Sequence, residues 1–348
     1  MRIVITDCDH ASVDIEQAVA DEAGAELVLA QGTAPASDRQ RPGRGRARRP
    51  VRPDHRRGDG RPAEPEAVGR YGVGVDTVDV EAATARGIAV CNVPDYGTEA
   101  VSDHAIALAL AVGRGLVALD RGTRAGRPNL AEVGPMYQVH GRTFGVLGFG
   151  AIGRATARKA AGVGFEVVVS DTTLEPGTLT GEGYEVVSLE DLLRRSQTLS
   201  VHVPLLPATH HLLDAARLAL LPEHAVVVNT SRGGVVDTDA LVDALRSGHL
   251  LGAGLDVFET EPLPADHPLT QFDRVVLTPH AGFYTEESYA ELKRRTVQNV
   301  VDVVAGRRPR NILNPSVLEG AGEPRLDGAP RAAPACRRCS ASGRPWRW

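Results

Sequence analysis

The stretch from Thr143 to Gly153 constrains the fold more than any other part of this chain. An apolar run, Phe144 to Leu147, predicts a buried parallel strand, and Gly148, Gly150 and Gly153 follow it with the spacing G-x-G-x-x-G. The first glycine permits a tight turn, the second lets backbone amides approach a ligand, and the third lets a helix pack close to the strand. Helix-forming residues come next. The stretch therefore predicts a strand, a glycine turn and a helix.

A second strand with an acidic end follows this helix. It runs from Phe165 to Ser170 and stops at Asp171, 18 residues after Gly153. The free N–H groups and positive dipole at a helix N-terminus bind phosphate, and a carboxylate after the second strand takes the ribose hydroxyls of NAD and repels the extra phosphate of NADP. The pattern predicts an NAD site. The alternative is a glycine-rich turn in some other α/β protein, because the chain holds 37 glycines.

Length and composition exclude several classes of protein. A chain of 348 residues that is 42% hydrophobic suggests about two domains with proper cores. The net charge of −5 gives no overall attraction to nucleic acid or to anionic membranes, and no apolar run approaches the ~20 residues of a membrane span. Residues 1–7 read as a short strand rather than a signal peptide. Four cysteines make no disulfide framework, so a cytoplasmic location is expected.

Strand and helix patterns alternate along most of the chain, which predicts an α/β fold with a parallel, doubly wound sheet. Residues 39–61 depart from this pattern, with ten arginines interleaved with Gly and Pro and almost no apolar residue. Such a segment buries too little surface to offset its ordering entropy and is predicted to be disordered. A basic arm for nucleic acid is a weaker interpretation, because no aromatic residue interleaves the arginines.

The composition of the arginine-rich segment is also what a GC-rich gene yields when it is read out of frame. The tail after Leu318 has the same Arg/Gly/Pro/Ala character, and our hypothesis is that both are frameshift products. Cys336 and Cys339 in that tail form a lone C-x-x-C pair, which we interpret as incidental rather than metal-binding.

Three predicted strands in the second half of the chain end in ionisable residues. One delivers Arg232, one ends in carboxylates from Asp256 to Glu261, and one delivers His280. A guanidinium can hold a carboxylate bidentately. A histidine with a carboxylate partner is a candidate general acid/base, because the carboxylate fixes the tautomer and favours the imidazolium. Surface arginine and structural histidine are the alternatives when each residue is taken singly.

Taken together, these motifs resemble the D-isomer-specific 2-hydroxyacid dehydrogenase family. The motifs that carry the resemblance, in family order, are Gly148–Gly153, Asp171, His202–Leu205, Asn229–Gly233, Gly254–Pro262 and Thr278–Gly282. Arg70–Asp76 and Cys91–Tyr96 look most like its C-terminal-binding-protein branch and bacterial relatives. The resemblance covers roughly residues 1–30 and 68–318.

The resemblance implies a Rossmann-type NAD-binding domain, about residues 98–283, inserted into a smaller flavodoxin-like α/β catalytic domain of residues 1–97 and 284–320. Residues 31–67, where the family has a strand and helix, are expected to be disordered or out of frame, and 321–348 to be a disordered tail. If the chain is genuine as written, the small sheet is expected to lack a strand. The resemblance also implies a homodimer built through Glu99–Val112 and Gly113–His140.

Residue roles follow from the same resemblance. Arg232 resembles the arginine that binds the substrate carboxylate and carbonyl oxygen, His280 the acid/base, and Glu261 its partner. The backbone of Val73 and Gly74 would hold the substrate carboxylate, and Asp256 would hold the nicotinamide carboxamide. No metal is implied. The residues implied to contact NAD are Val101, Gly148, Phe149, Gly150, Ala151, Ile152, Gly153, Asp171, Val203, Pro204, Thr209, Thr230, Ser231, Arg232, Asp256, His280 and Gly282.

The expected function is that of an NAD-dependent, phosphoglycerate dehydrogenase-like oxidoreductase. It would interconvert a small D-2-hydroxy acid and its 2-oxo acid by hydride transfer. Two alternatives stay open at this point: an NAD(H)-sensing, corepressor-like binding protein, and a decayed inactive homologue. Substrate identity does not follow from the sequence, because the family's specificity loop falls in the arginine-rich segment.

Overall fold

The structure, a computed structural model, describes residues 2–5, 12–29, 51–53, 65–75, 78–127 and 130–319. Most of the arginine-rich segment, the tail beyond Glu319 and its two cysteines therefore lie outside the described residues. Of 51–53, only the backbone is described.

The described residues form two sheets with flanking helices. In chain order the strands are β1 (Arg2–Ile5), β2 (Glu26–Leu29), β3 (Val51–Pro53), β4 (Ala67–Gly69), β5 (Ala89–Cys91), β6 (Thr143–Leu147), β7 (Glu166–Ser170), β8 (Glu185–Val186), β9 (Thr198–Val201), β10 (Ala225–Asn229), β11 (Leu250–Leu255) and β12 (Val275–Leu277). The α-helices are α1 (Asp14–Glu22), α2 (Val80–Ala85), α3 (Thr98–Gly113), α4 (Leu116–Arg124), α5 (Ala151–Val163), α6 (Leu189–Arg195), α7 (Ala215–Leu218), α8 (Thr238–Arg246), α9 (Glu286–Val304) and α10 (Ser316–Glu319).

The small lobe consists of β1–β5 with α1, α2 and α9. Its strand order is β2-β1-β3-β4-β5, the order of flavodoxin-like sheets. Helix α9 returns late in the chain to pack on this sheet, and its Leu292, Val297 and Val300 are fully buried with Ile3 and Ile5 of β1. The core of the small lobe therefore joins residues almost 300 positions apart in the sequence.

Strand β3 differs from the sequence-based expectation for residues 31–67. Disorder, and a sheet with one strand fewer, were expected there, yet Val51–Pro53 pairs antiparallel with β1 and with β4 at Gly69. The physical reason is that β1 and β4 each present backbone N–H and C=O groups along the gap between them, and any extended segment can pair with these groups. The sheet thus has five strands, although its middle strand runs against its neighbours.

The large lobe consists of β6–β12 with α3–α8. All seven strands are parallel, in the order β12-β11-β10-β9-β6-β7-β8. Helices α3 and α5 cover one face of the sheet, and α6, α7 and α8 cover the other. This is the predicted Rossmann-type, doubly wound sheet. Its strand order reverses between β6 and β9, so a ligand crevice opens beyond their carboxyl ends.

Sequence reasoning missed helix α4. Leu116–Arg124 is helical and follows a left-handed Gly115. Arg121, Gly122 and Arg124 interrupt the apolar spacing of this helix, so its amphipathic repeat was not recognised from the sequence. Among the described residues no single helix is long and apolar enough to cross a membrane. Only α3 and α4 taken together meet the length and composition criteria, across a 60° bend.

Candidate active site

The glycine turn after β6 has the shape that the sequence predicted. Gly148 has φ +92°, and a Cβ there would lie 2.8 Å from the carbonyl carbon of His202. A Cβ on Gly153 would collide with the carbonyl oxygen of Gly148, so the turn and α5 can approach only because both residues lack side chains. A Cβ on Gly150 would meet nothing within 4 Å. The turn is therefore closed on the protein side and open where a ligand would lie.

The N-terminus of α5 faces this opening. Its N-cap residue is Gly150, which has no side chain to accept hydrogen bonds from the first turn. The first intrahelical bond joins the N–H of Arg154 to the carbonyl of Gly150. The preceding N–H groups of Ala151 and Ile152 therefore have no intrahelical acceptor and suit a pyrophosphate.

Asp171 lies beside the glycine turn and is hydrogen-bonded to it. Its Oδ2 accepts a 2.7 Å hydrogen bond from the Phe149 N–H, and its Oδ1 accepts from the N–H and the hydroxyl of Thr173, at 2.8 and 2.7 Å. Burial acts to raise the pKa of Asp171, but these hydrogen bonds outweigh it and hold the pKa below its usual value. An ionised acceptor beside the glycine turn fits ribose hydroxyls as donors. The hydrogen bond from the Phe149 N–H means that Asp171 also stabilises the glycine turn.

His280 and Glu261 form a direct pair. The Nδ1 atom of His280 lies 2.9 Å from Oε2 of Glu261, while Oε1 accepts the Phe258 N–H at 3.0 Å. Burial favours a raised pKa for Glu261, yet the hydrogen bond from His280 and the other contacts lower it. Because the ionised carboxylate can only accept, Nδ1 carries a proton, and Nε2 is the nitrogen that can exchange one with a ligand.

Arg232 reaches the same place from the end of β10. Asn229 folds the turn: its Oδ1 accepts from the Ser231 N–H at 3.0 Å, and its Nδ2 donates to the Arg232 carbonyl at 2.9 Å. Gly233 packs against the backbone of Phe258, where a Cβ would collide with the Phe258 carbonyl. The positive charge of Arg232 contributes to the lowered pKa of Glu261. The fold thus brings Arg232, Glu261 and His280 together from three strand ends.

Asp256 is almost completely buried, with 2% of its surface exposed. Its Oδ1 accepts hydrogen bonds from the Thr278 hydroxyl at 2.6 Å and the Ala281 N–H at 2.8 Å. Its Oδ2 accepts one from the Gly282 N–H at 2.9 Å. Burial acts to raise its pKa, but these bonds and one from His104 lower it. These bonds hold the loop that carries His280. Contact with a nicotinamide carboxamide stays a prediction.

The other implied cofactor residues lie around the crevice with different surroundings. A Cβ on Gly148 would lie 2.9 Å from Cγ1 of Val203, so Val203 lines the glycine turn. The Thr209 hydroxyl is used internally, donating to the Pro204 carbonyl at 2.6 Å and accepting the Leu206 N–H at 2.8 Å. The buried hydroxyl of Thr230, in contrast, makes no hydrogen bond within the described part of the chain. A polar ligand in the crevice would satisfy it.

The loop implied to hold the substrate carboxylate belongs to the small lobe. Val73 is exposed, its carbonyl accepts a 2.8 Å hydrogen bond from Asn92 Nδ2, and the Asn92 carbonyl accepts from Asn299 Nδ2 on α9 at 3.1 Å. The N–H groups of Val73 and Gly74 donate to no residue that the structure describes. Two backbone donors are therefore available for an anion.

Sequence reasoning missed His104, Thr278 and Asn92 as site residues. Nε2 of His104 lies 2.9 Å from the Thr278 hydroxyl and 3.4 Å from Oδ1 of Asp256. The only signal for His104 was a lone imidazole in the apolar helix α3. His202 was named only within a motif. It lies behind the glycine turn, where burial lowers its pKa to about 4, and it is hydrogen-bonded to Ser200 at 2.8 Å. Across the described ranges no cluster of His, Cys, Asp and Glu has the form of a metal site.

Comparison with known proteins identifies the fold's relatives. Residues 106–282 match the family model described as the NAD-binding domain of D-isomer specific 2-hydroxyacid dehydrogenases. The glyoxylate reductase of Korarchaeum cryptofilum is 41% identical over 255 residues, 72% of this chain and 77% of that protein. The matched domain is an NAD-binding domain, and NAD is therefore the cofactor of this chain.

Solved structures agree with the sequence matches. The TT0316 protein from Thermus thermophilus is 35% identical, with a TM-score of 0.75 over 90% of this chain and all of that one. The apo D-mandelate dehydrogenase of Rhodotorula graminis is 37% identical, with a TM-score of 0.63 over 70% of this chain and 73% of that one. The chain belongs to the D-isomer specific 2-hydroxyacid dehydrogenase family and is an NAD-dependent oxidoreductase of hydroxy and oxo acids.

Proposed function

We propose that this protein reduces a small 2-oxo acid to the D-2-hydroxy acid with NADH, and catalyses the reverse oxidation with NAD. The observation that carries the proposal is the 2.9 Å pair of His280 and Glu261 with Arg232 beside it. A reducing site for a 2-oxo acid needs an anion clamp, a proton donor and a positioned hydride, and this arrangement supplies the first two.

The residues have distinct parts in this reaction. The Arg232 guanidinium holds the substrate carboxylate and polarises the carbonyl oxygen, with the Val73 and Gly74 N–H groups as further donors to the carboxylate. Bound NADH supplies the hydride to the carbonyl carbon. Nε2 of His280 gives its proton to the carbonyl oxygen as the alkoxide forms, and Glu261 keeps the imidazole oriented by accepting the hydrogen bond from Nδ1.

Glyoxylate is the first substrate to test, because it is the substrate named for the 41% identical relative. Purified full-length protein is mixed with NADH and, separately, glyoxylate, hydroxypyruvate and pyruvate, and NADH consumption is followed by absorbance. We expect turnover with at least one of them and a D-configured product wherever C2 is chiral. Tight NADH binding without turnover of any 2-oxo acid would contradict the dehydrogenase and favour an NAD(H) sensor.

We also propose that the protein is a homodimer joined through α4 and the segment that follows it. Leu116, Leu130 and Tyr137 present large apolar side chains to solvent, at 53%, 69% and 38% exposure. Exposed apolar groups concentrated on one segment indicate a contact surface. Light scattering of the full chain should give twice the chain mass, and Leu116→Glu with Leu130→Glu should shift it to the monomer mass.

A further inference from the structure

Asp256 makes three of the hydrogen bonds that fasten the loop carrying His280. Asp256 accepts three successive backbone N–H groups of this loop: His280 on its carbonyl at 2.8 Å, Ala281 on Oδ1 at 2.8 Å and Gly282 on Oδ2 at 2.9 Å. His280 itself has φ +55°, a left-handed conformation that costs free energy for a residue with a side chain. Asp256 helps to keep this conformation, because it holds the N–H of His280 and the N–H groups of the two residues that follow it.

Asp256 is in turn oriented by a chain of hydrogen bonds that ends on another element. The Thr278 hydroxyl lies 2.6 Å from Oδ1 of Asp256, and Nε2 of His104 on α3 lies 2.9 Å from the same hydroxyl. A hydroxyl has a single proton, and an ionised carboxylate can only accept. Thr278 therefore donates to Asp256 and accepts from His104, which fixes a proton on Nε2 of His104.

Helix α3 also begins where the chain passes between the lobes. Its first residue is Thr98, and a Cβ on the preceding Gly97 would lie 3.6 Å from Cβ of Phe283. The rings of Tyr96 and Phe283 are 6.3 Å apart. The chain passes between the lobes twice, near Gly97 and near Phe283, and these two segments are in contact. Helix α3 leads from this contact to His104.

We propose that His104 is a positioning residue: through Thr278 and Asp256 it holds the His280 loop in its reactive conformation. The inference rests on the proposed function and deepens it, because it names what keeps the acid/base in place. His104 touches neither substrate nor cofactor in this role. Its loss removes the support of α3 from the Thr278–Asp256 pair, so that the loop shifts and the imidazole of His280 leaves the productive geometry, while the glycine turn is unaffected.

The test pairs disruptive with conservative variants. His104→Leu and Thr278→Val remove the chain, whereas His104→Gln retains an N–H donor and Thr278→Ser retains the hydroxyl. We expect His104→Leu and Thr278→Val to lower kcat by about 10- to 100-fold, the range that follows a small misplacement of a reacting group. The Kd for NADH should stay within about threefold, and the two conservative variants should recover most of kcat.

Two matched controls exclude general effects of the substitutions. His140→Leu replaces an exposed histidine before β6, at the opposite end of the sheet. Thr156→Val removes a buried hydroxyl that has no hydrogen-bond partner in the part of the chain the structure describes. Both should retain the wild-type kcat and thermal midpoint.

A second measurement decides the proposal independently of turnover. The NMR signal of the His280 Nδ1–H that bonds to Glu261, assigned with His280→Asn, should shift or disappear in His104→Leu, because the Glu261 pairing depends on loop position. Unchanged kcat with an unchanged Nδ1–H signal would overturn the inference, as would equal loss in His104→Leu and His104→Gln. If the wild type reduces no 2-oxo acid, the proposed function fails, while the Nδ1–H signal still supports or overturns the positioning role.

Discussion

The two lobes are both α/β sheets with flanking helices, yet they are assembled in opposite ways. The large lobe draws seven parallel strands from one continuous stretch between Thr143 and Leu277. The small lobe combines an N-terminal segment with α9 from residues 286–304, and its middle strand is antiparallel. Because its strands follow one another along the chain, the large lobe contains its whole sheet and the glycine turn within one continuous segment. The small lobe depends on distant pieces, so changes there should affect stability before they affect NADH binding.

The largest effect should come from removing the acid/base in the large lobe. His280→Ala removes the proton donor, and positioned general acid catalysis is worth about 10²- to 10⁴-fold in rate. We expect kcat to fall by that amount while the Kd for NADH, measured by fluorescence, changes by less than about threefold. Parallel loss of turnover and NADH affinity would contradict the acid/base role and point to damage of the lobe.

In the small lobe, the corresponding weak point is a buried charge cluster. Glu16 is fully buried, accepts from the Tyr71 hydroxyl at 3.1 Å and lies 3.9 Å from Lys293 Nζ on α9. Glu16→Ala leaves the Lys293 ammonium buried without a counter-charge, which costs about 3–5 kcal/mol.

Denaturant unfolding of the Glu16→Ala variant should show an early transition for the small lobe with NADH binding preserved. The exposed Glu26→Ala is the matched control, and its cost should be about 0–1 kcal/mol. A single transition that takes NADH binding with it would refute the independence of the lobes.

An acid-dependent loss of stability should concentrate in the large lobe. The pKa of Asp256 is lowered in the folded protein, so its ionised form contributes stability above the unfolded pKa of about 4, and this stability is lost as pH falls through the folded value. Asp256→Asn places an amide donor against the Gly282 or Ala281 N–H and should cost about 1–3 kcal/mol at pH 7.

The difference in unfolding free energy between wild type and Asp256→Asn should shrink as pH falls below the unfolded pKa of about 4 and passes through the lowered folded pKa of Asp256. Urea titrations at neutral and acid pH measure it. A difference that stays constant with pH would show that the charge of Asp256 does not stabilise the fold.

The smallest effect should be on the choice of cofactor. Asp171→Ala removes the carboxylate that would repel the extra phosphate of NADP, and we expect the ratio of kcat/KM for NADH over NADPH to fall about tenfold, which corresponds to about 1.4 kcal/mol. Asp171→Asn removes the charge but keeps an acceptor for the Phe149 N–H. It therefore distinguishes an effect of the charge from an effect of a changed turn geometry. An unchanged ratio in both variants would remove Asp171 from the ribose contact.

The comparison also shows how far sequence reasoning reaches. Helix α9 (Glu286–Val304) and strand β10 (Ala225–Asn229) belong to the predicted alternation of strands and helices, because hydrophobic periodicity and caps are local signals. Strand β3 was not predicted, since its pairing depends on β1 and β4 rather than on its own residues. Resequencing the gene tests whether the arginine-rich segment, which includes the residues of β3, is in frame.

By itself the sequence determined the order strand, glycine turn, helix, strand and acid, and with it the NAD-binding lobe. These features are set within about thirty residues by glycine geometry and hydrophobic period. Only the tertiary structure decided that Arg232, Glu261 and His280 converge, that Asp256 holds the His280 loop, and that His104 reaches it from α3. Such contacts join residues up to 174 positions apart, and no local pattern encodes them, because they form only when separate strands end at one edge of the sheet.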